Sequence, residues 1–459
     1  ILSDTQRTHL SCPLWRDSCS PYADLLLSRT GSHYFPATRL CVLVGPYPVR
    51  SLHVGGDTTE PNLYRGERAD RSCRIIKPIS IIFDTTVNVL VLSMRGPTDE
   101  DRRGGAQEYI RHIFAQWVKR GDRVRVICIQ EKTRGGILPR NECVDGIEVI
   151  RVGGRHDVER LLGVVQRARA SQTWADLMVE NIMAVPLLTP LWKESGLPFL
   201  AIKHHLQGHT FFEGEDWIKA FIGLFMERFS FPVVYRNVPL VVNSERTKQD
   251  LRDLWLGRWE ELQVVPPGVE RISTAAEKFE RPTILYLGSL HLARKRIDDL
   301  LEAFRETHQA CPEAQLIVAG DGPDREYLQD QASDLPVMFT GFVSEKRKHR
   351  LLEKAWVFAS PSTKAGFGIT WIEANAYGVP VVGYDLGLDT VTPSCTIMVP
   401  PRDKKALSRG LTKLLQNPEE REEMADAARE NAERFNWERS SERFRQFAEQ
   451  VLEIDEAAA

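Results

Sequence analysis

The chain has 459 residues, 42% hydrophobic and 27% charged, with a formal net charge of -3. That length accommodates about three domains of roughly 150 residues or two large ones, and the balance is globular rather than disordered or membrane-spanning. The near-neutral charge excludes a general nucleic-acid binder. Eight cysteines, at 12, 19, 41, 73, 128, 143, 311 and 395, form no Cys-x-x-Cys pair, and no Cys/His set has zinc-finger spacing. They read as free thiols in a reducing cytoplasm. The apolar stretch Ile79 to Met94 is interrupted by Asp84 and two threonines and is too short to span a bilayer. No secretory signal pattern is visible.

Residues 1 to about 86 carry scattered Ser, Pro and Arg, and neither helical nor strand periodicity. The favoured reading is translated sequence upstream of the true start; a natural extension packed outside is the alternative. No function is assigned to this segment. From Val87 the pattern becomes one of alternating apolar strands and amphipathic helices, as in parallel sheets with crossover helices. Strands are predicted at Asn88 to Ser93, Arg123 to Ile129, Leu177 to Glu180, Pro198 to Lys203, Leu240 to Asn243 and Gln263 to Val265. A helix is predicted from Gly104 to Arg120, with its apolar face at Ile110, Ile113, Phe114 and Trp117. A second series opens with the strand at Thr283 and continues through helix Ile297 to Ala310, strand Gln315 to Ala319 and strand Val337 to Phe339. It ends with strand Val357 to Ala359, helix Ile369 to Tyr377 and strand Val379 to Gly383. Pro266-Pro267-Gly268 marks the crossing between the series. The expected organisation is an α/β chain of two doubly wound domains facing a cleft: an extension over 1–86, a first domain over 87–268 completed by a C-terminal helix at 436–459, and a second over 269–435. In open sheets of this kind ligands sit beyond the carboxyl ends of the strands.

The stretch 360–380, SPSTKAGFGITWIEANAYGVP, ends a strand, turns at Gly366-Phe367-Gly368 and at once begins a helix. The free N–H groups and positive dipole end of that helix suit a diphosphate. Glu373, inside the helix, is placed to accept ribose hydroxyls. A tight turn followed by a solvated glutamate is the plainer alternative. The same stretch closely resembles the signature of glycosyltransferase family 4, and the resemblance covers about Asn88 to Glu453. In that family one Glu stands immediately before the Gly-Phe-Gly turn and another eight positions later. Glu373 matches the second, which binds the donor ribose; Ala365 replaces the first, which contacts the transferred sugar.

The resemblance implies a GT-B fold and a metal-independent, configuration-retaining transferase using a nucleotide diphosphate-sugar and no cofactor. Residues 288–304, GSLHLARKRIDDLLEAF, resemble the opening of the family's donor domain, with Gly288 at the strand end. Lys295 matches the phosphate-neutralising lysine and Arg294 stands beside it, while Ser289 occupies the place of a frequent Arg. GDGP at 320–323 and GFVS at 341–344 match further family loops, and Phe342 and Val343 are candidates for base contact. Gly366, Phe367, Gly368 and Ile369 are the candidate diphosphate-binding turn. In the first half, Gly104 and Gly105 match a glycine-rich loop near the donor phosphate, with Gln107 where a Glu is common; a simple helix cap is the alternative. His204 and His205 end a strand where the family often has a histidine facing the reacting sugar. Ser244 reads as an N-cap, with Glu245 a candidate for facing the cleft, and Trp437 as packing.

No metal site is expected. Asp99-Glu100-Asp101 reads as a solvated turn, not a metal-binding Asp-x-Asp. The implied acceptor is a glycan, a lipid-linked molecule or a small molecule, with a hexose-type donor sugar. Trp217 to Phe231, with Lys219 and Arg228, reads either as a core helix or as a peripheral contact at the inner face of a membrane. Ala365 keeps two other functions open, a catalytically impaired nucleotide-sugar-binding protein and a nucleotide-sugar epimerase.

Overall fold

The computed structural model describes residues 86–98, 104–133, 136–213, 217–254, 259, 261–270 and 277–458. The readings made for residues 1–85 and for Asp99-Glu100-Asp101 lie outside them. The buried apolar run Asn88–Ser93 forms β1 and is followed by α1 (Gly105–Lys119), β2 (Arg123–Ile129) and two short strands, β3 (Lys132–Thr133) and β4 (Gly136–Ile137). A hairpin of β5 (Asn141–Val144) and β6 (Ile147–Val152) comes next, then α2 (Asp157–Arg169), β7 (Leu177–Ile182), β8 (Phe199–Lys203) and α3 (Trp217–Phe225). The half closes with α4 (Phe231–Val234), β9 (Leu240–Val242), α5 (Glu245–Arg252) and β10 (Leu262–Val264).

An eight-stranded sheet results, in the order β10-β9-β8-β7-β1-β2-β6-β5. All its pairings are parallel except β5 with β6. That hairpin was not anticipated, although its turn residues Asp145 and Gly146, both at positive φ, form the Asp-Gly sequence that two-residue hairpins favour.

The second half begins with β11 (Thr283–Leu287), α6 (Leu292–Lys295), α7 (Ile297–Ala310) and β12 (Gln315–Ala319), followed by α8 (Arg325–Gln331), β13 (Val337–Gly341) and α9 (Glu345–Lys354). It continues through β14 (Val357–Ser360), α10 (Ile369–Ala376), β15 (Val381–Tyr384), β16 (Thr396–Val399), α11 (Lys404–Gln416), α12 (Pro418–Ala432) and α13 (Trp437–Ala458). Its six strands run β13-β12-β11-β14-β15-β16, all parallel. This is the doubly wound order, and its reversal point lies between β11 and β14, where the loops after two adjacent strands part and leave a crevice.

Aromatic packing ties the last helix to the first sheet. Trp437, Phe444 and Phe447 of α13 share a core with Tyr109, Phe114 and Trp117 of α1 and with Val89 and Val91 of β1. The chain therefore crosses between the halves twice, at Pro266–Val269 and at Phe435–Trp437. The crossings touch: Val269 N donates to Phe435 O at 3.2 Å, and a Cβ on Gly268 would lie 2.3 Å from the Trp437 nitrogen. Only glycine fits there.

Trp217–Val234 forms one helical run with a π-turn at Met226–Ser230. Trp217, Phe221, Phe225, Phe229 and Val233, at i+4 intervals, lie along its exposed side together with Ile218 and Ile222, Trp217 being 71% exposed. The core-helix reading is thereby corrected, since most of these large side chains face outward and only small ones, Ala220 and Gly223, are buried within α3. Gly223 lets the helix approach Phe211, whose ring would lie 2.7 Å from a Cβ there. Among the described residues no helix is long and apolar enough to cross a membrane.

Candidate active site

The cleft between the two sheets holds two chambers that share Ile369. The narrower, of about 330 Å³, is walled by strand-end loops of both halves, and the wider, of about 1030 Å³, lies toward α1, α9 and α13. Of the expected residues, Gly105, His204, His205, Arg294, Lys295, Gly366, Phe367, Gly368 and Ile369 line the narrow chamber. Glu373 lines the wide one. Gly104, Gly288, Phe342 and Val343 line neither. The structure thus does not bring the two base-contact candidates into either chamber; Val343 packs instead against the second domain's core.

The geometry of the His204-His205 strand end follows from groups buried behind it. Asn181 Nδ2 donates to Ser93 Oγ at 3.0 Å, which turns its Oδ1 toward His204 Nε2 at 2.7 Å. Nε2 therefore carries the proton. Burial first, then the neighbouring His205 and Lys203, lowers the His204 pKa to about 3. His205 is likewise lowered, to about 4, by burial and then by Lys203 and Lys364, and its Nε2 lies 3.0 Å from the Gln207 amide nitrogen. At neutral pH both rings are uncharged, so His204 is a hydrogen-bonding and packing group rather than a cation for phosphate.

Below them Lys203 and Glu227 form a fully buried pair at 3.2 Å. Burial lowers the Lys203 pKa, opposed by Glu227. Glu227 also accepts from the backbone N–H of Gln207 at 2.8 Å and of Gly208 at 2.7 Å. One carboxylate thus clamps the loop that forms a wall of the narrow chamber.

The opposite wall is built at the second sheet's reversal point. The loop after β11 leads into α6, whose last two residues are Arg294 and Lys295, and the loop after β14 leads through Gly366-Phe367-Gly368 into α10. The loops are tied together by Thr363 N donating to Arg294 O at 3.0 Å. Gly368, at φ +81, is the N-cap of α10, a left-handed conformation that glycine adopts without strain. Lys295 is half-buried, and burial and then the Arg294 charge lower its pKa. No carboxylate pairs with it among the described residues. Across the cleft Ser244 both caps α5, accepting from Thr247 N at 3.0 Å, and donates to Gly366 O at 2.9 Å. Glu245 is exposed and pairs with Lys248, outside both chambers.

Gln107 is spent on its own helix end: its Oε1 accepts from Gly104 N at 2.8 Å and its Nε2 donates to Gly96 O at 3.0 Å. A side chain on Gly105 would meet nothing within 4 Å. That N-terminus is open toward the narrow chamber.

In the wide chamber Glu373 Oε1 accepts from Lys348 Nζ at 2.7 Å, and Lys348 also pairs with Glu345 at 2.7 Å. Burial works against the Lys348 charge, yet Glu373 and Glu345 outweigh it and hold its pKa above normal. Trp437 stacks on His112 at 4.5 Å between ring centres, a packing role. Residues that the sequence reading missed include Asn181, Glu227, Lys348 and Lys364. A polar Glu180-Asn181 pair inside an apolar strand, and a lone Glu227 among aromatics, were the available signals.

The comparisons with known proteins agree with this geometry. The model described as Glycosyltransferase Family 4 matches residues 103–271, and that described as Glycosyl transferases group 1 matches 270–431. The chain belongs to glycosyltransferase family 4. A phosphatidyl-myo-inositol mannosyltransferase of Mycobacterium leprae is 32% identical over 185 residues, 38% of this chain and 49% of the relative. The sulfoquinovosyl transferase SQD2 of Arabidopsis thaliana is 27% identical over 38% of this chain and 34% of its own. The chain spans about half or less of the length of these curated relatives.

Among solved structures, sucrose-phosphate synthase from Thermosynechococcus elongatus superposes with a TM-score of 0.66 at 21% identity, covering 81% of this chain and all of that one. Anabaena HepE in complex with UDP gives 0.61 at 15%, covering 79% and 100%. The fold is GT-B.

Proposed function

We propose that this protein transfers a sugar from a nucleotide diphosphate-sugar to a hydroxyl acceptor, with retention of the anomeric configuration and without a metal ion. The observation that carries this reading is the convergence on one chamber of two half-buried cations, Arg294 and Lys295, and the Gly366–Gly368 turn at the start of α10. Those groups suit a diphosphate. As the bond from the anomeric carbon to the phosphate oxygen breaks, its electron pair leaves with the diphosphate. The two cations stabilise the charge that grows there, the task a metal ion would otherwise perform. The acceptor oxygen forms the new bond to the same carbon, and its proton passes to the departing phosphate oxygen.

Glu373 is the ribose-binding group in this reading, with Lys348 fixing its orientation. Gly104, Gly288, Phe342 and Val343 stay as candidates for the donor once the cleft closes around it. The experiment is calorimetry of the full chain with UDP, GDP, dTDP and ADP, followed by nucleotide release from the matching sugar donors. Binding of one diphosphate with sugar-dependent turnover is expected. A folded protein that binds none would end the proposal.

The acceptor is proposed to be held at a lipid surface, with the exposed ridge Trp217 to Val233 as the docking face. Its aromatic and aliphatic side chains, the exposed cations Lys219 and Arg228, and its packing through Gly223 and Phe211 onto the segment after the chamber loop support this. Co-sedimentation with vesicles containing phosphatidylglycerol should be lost when Trp217, Phe221 and Phe225 are replaced by Ser. Equal sedimentation of parent and variant would remove the membrane contact.

A further inference from the structure

The start of α5 touches both walls of the narrow chamber. On its own side, Thr247 Oγ1 donates to His204 O at 3.0 Å. Across the cleft, Ser244 Oγ donates to Gly366 O at 2.9 Å while accepting from Thr247 N at 3.0 Å, and Ser244 is only 1% exposed. The same helix end meets the loop after β15: Glu245 N donates to Asp389 Oδ2 and Arg246 Nη1 to Leu386 O, both at 3.3 Å. That loop returns to the turn, where Thr390 Oγ1 donates to Phe367 O at 2.9 Å. Two successive carbonyls of the Gly366–Gly368 turn are therefore fixed, the first by the opposite half and the second by its own. In a planar trans peptide the N–H lies opposite the C=O, so these bonds aim the N–H groups of Phe367 and Gly368. Both residues line the narrow chamber, and among the described residues neither N–H has a protein acceptor. The fit between the halves is close, since a Cβ on Gly366 would lie 2.9 Å from His205 Cβ and 3.2 Å from His204 O.

Resting on the transferase reading above, we propose that Ser244 is a positioning residue for sugar transfer. Closure of the cleft brings its hydroxyl onto Gly366 O, and that bond sets the Phe367 and Gly368 N–H groups against the departing diphosphate. The hydroxyl suits this task because its cap on α5 does not depend on the other half. With the cleft open, its proton turns to Thr247 Oγ1, 3.0 Å away, and the turn loses one of its two fixed carbonyls. Backbone donors stabilise growing charge most when they are held in place beforehand. Charge grows on the diphosphate as its bond to the sugar breaks, so the contribution of Ser244 falls on turnover. Ground-state binding rests on groups of the second half alone, Arg294, Lys295 and Glu373. A donor in an open cleft is then held without being activated, which guards its sugar against loss to water.

The test compares substitutions at Ser244 in the full chain. Ser244→Gly removes the hydroxyl at little cost to the helix end, because glycine is itself a tolerated N-cap, whereas Ser244→Ala loses cap and cross-cleft bond together. Ser244→Thr keeps both. Calorimetry with UDP, GDP, dTDP and ADP identifies the nucleoside diphosphate that binds, and turnover is read as nucleotide release from the matching sugar donors. In Ser244→Gly, kcat is expected to fall about tenfold to a hundredfold, the range for a misaimed donor to a charged group. Its affinity for the nucleoside diphosphate should stay within about threefold of the parent's, with a similar urea midpoint. Ser244→Thr should recover most of the turnover. Parental kcat in Ser244→Gly overturns the inference and leaves the transferase reading standing. A loss of nucleotide affinity as large as the loss of kcat overturns it too, as does a low kcat in Ser244→Thr. Loss of turnover in Ser244→Ala alone, in step with lower stability, assigns Ser244 to capping only and also overturns it. A parent that binds no nucleoside diphosphate sinks the transferase reading and this inference together.

Discussion

The two chambers of one cleft differ in charge. The wide chamber has six acids on its wall, Glu108, Asp145, Glu270, Glu345, Glu373 and Glu438, against three fixed cations, Arg111, Lys119 and Lys348. The narrow one has cations and no acid among the described residues. A shared ligand would therefore meet its hydrogen-bond acceptors at one end and its positive charges at the other. Carboxylates recognise the hydroxyls of a polyol, and ammonium, guanidinium and backbone N–H groups recognise phosphate. A molecule with a ribose and a diphosphate fits that division in one orientation only.

Four substitutions or conditions would break or sharpen this contrast, and the largest effect is expected at the wall of the narrow chamber. Glu227→Ala leaves Lys203 buried without its paired carboxylate and frees the Gln207–Gly208 backbone, so it should cost about 3 to 5 kcal/mol in denaturant unfolding. A loss below about 1 kcal/mol would show that the clamp is not what holds the loop. Lys295→Ala should leave stability nearly unchanged and lower turnover by about a hundredfold to a thousandfold, because its charge acts on the departing diphosphate. Parental turnover in the variant would remove Lys295 from the chemistry.

In the wide chamber, Glu373→Ala should weaken nucleotide binding by about 1 to 3 kcal/mol through ribose hydroxyls left unpaired. Unchanged affinity in a folded variant would move the ribose elsewhere. The most gradual effect, spread over several pH units, is a pH dependence. His204 and His205 titrate near 3 and 4 in the folded chain against about 6.5 in the unfolded one. Between those values the unfolded chain binds protons that the folded chain refuses. Stability is accordingly complete above about pH 6.5 and falls as pH drops toward the folded values, by up to about 1.4 kcal/mol per unit for each ring. His204→Gln, which keeps a donor for Asn181, should flatten that acid limb in a urea titration series. A limb of unchanged slope would mean that other groups govern it.

Much of the scaffold is legible in the sequence. β1, β2, α7 and β12 occupy the residues their apolar patterns pick out, because a strand buried on both faces and a one-sided helix each have a distinct periodicity. The Gly366–Gly368 turn and the Arg294-Lys295 pair were also legible, since a turn between strand and helix has a strong local signature. What escaped was set by contacts between distant positions. Nothing local to Lys203 announces Glu227, and nothing local to Glu373 announces Lys348. The ridge on α3 was ambiguous for a related reason: a run of large apolar residues reads the same whether its outer side meets a core or is left exposed. The hairpin of β5 and β6 is different, because its Asp145-Gly146 turn is a local signal present in the sequence.

The paired crossings at Gly268 and Trp437 also constrain kinematics. Two connections lying side by side and hydrogen-bonded to each other behave like two pins on one door edge. They leave rotation about a single line and resist twisting or sliding of one half against the other. Opening and closing of the cleft then reduces to one angle, so both chambers widen or narrow in concert. Small-angle scattering across a nucleotide titration should follow one curve between two end shapes. A third shape along the way would mean that the pins do not hold.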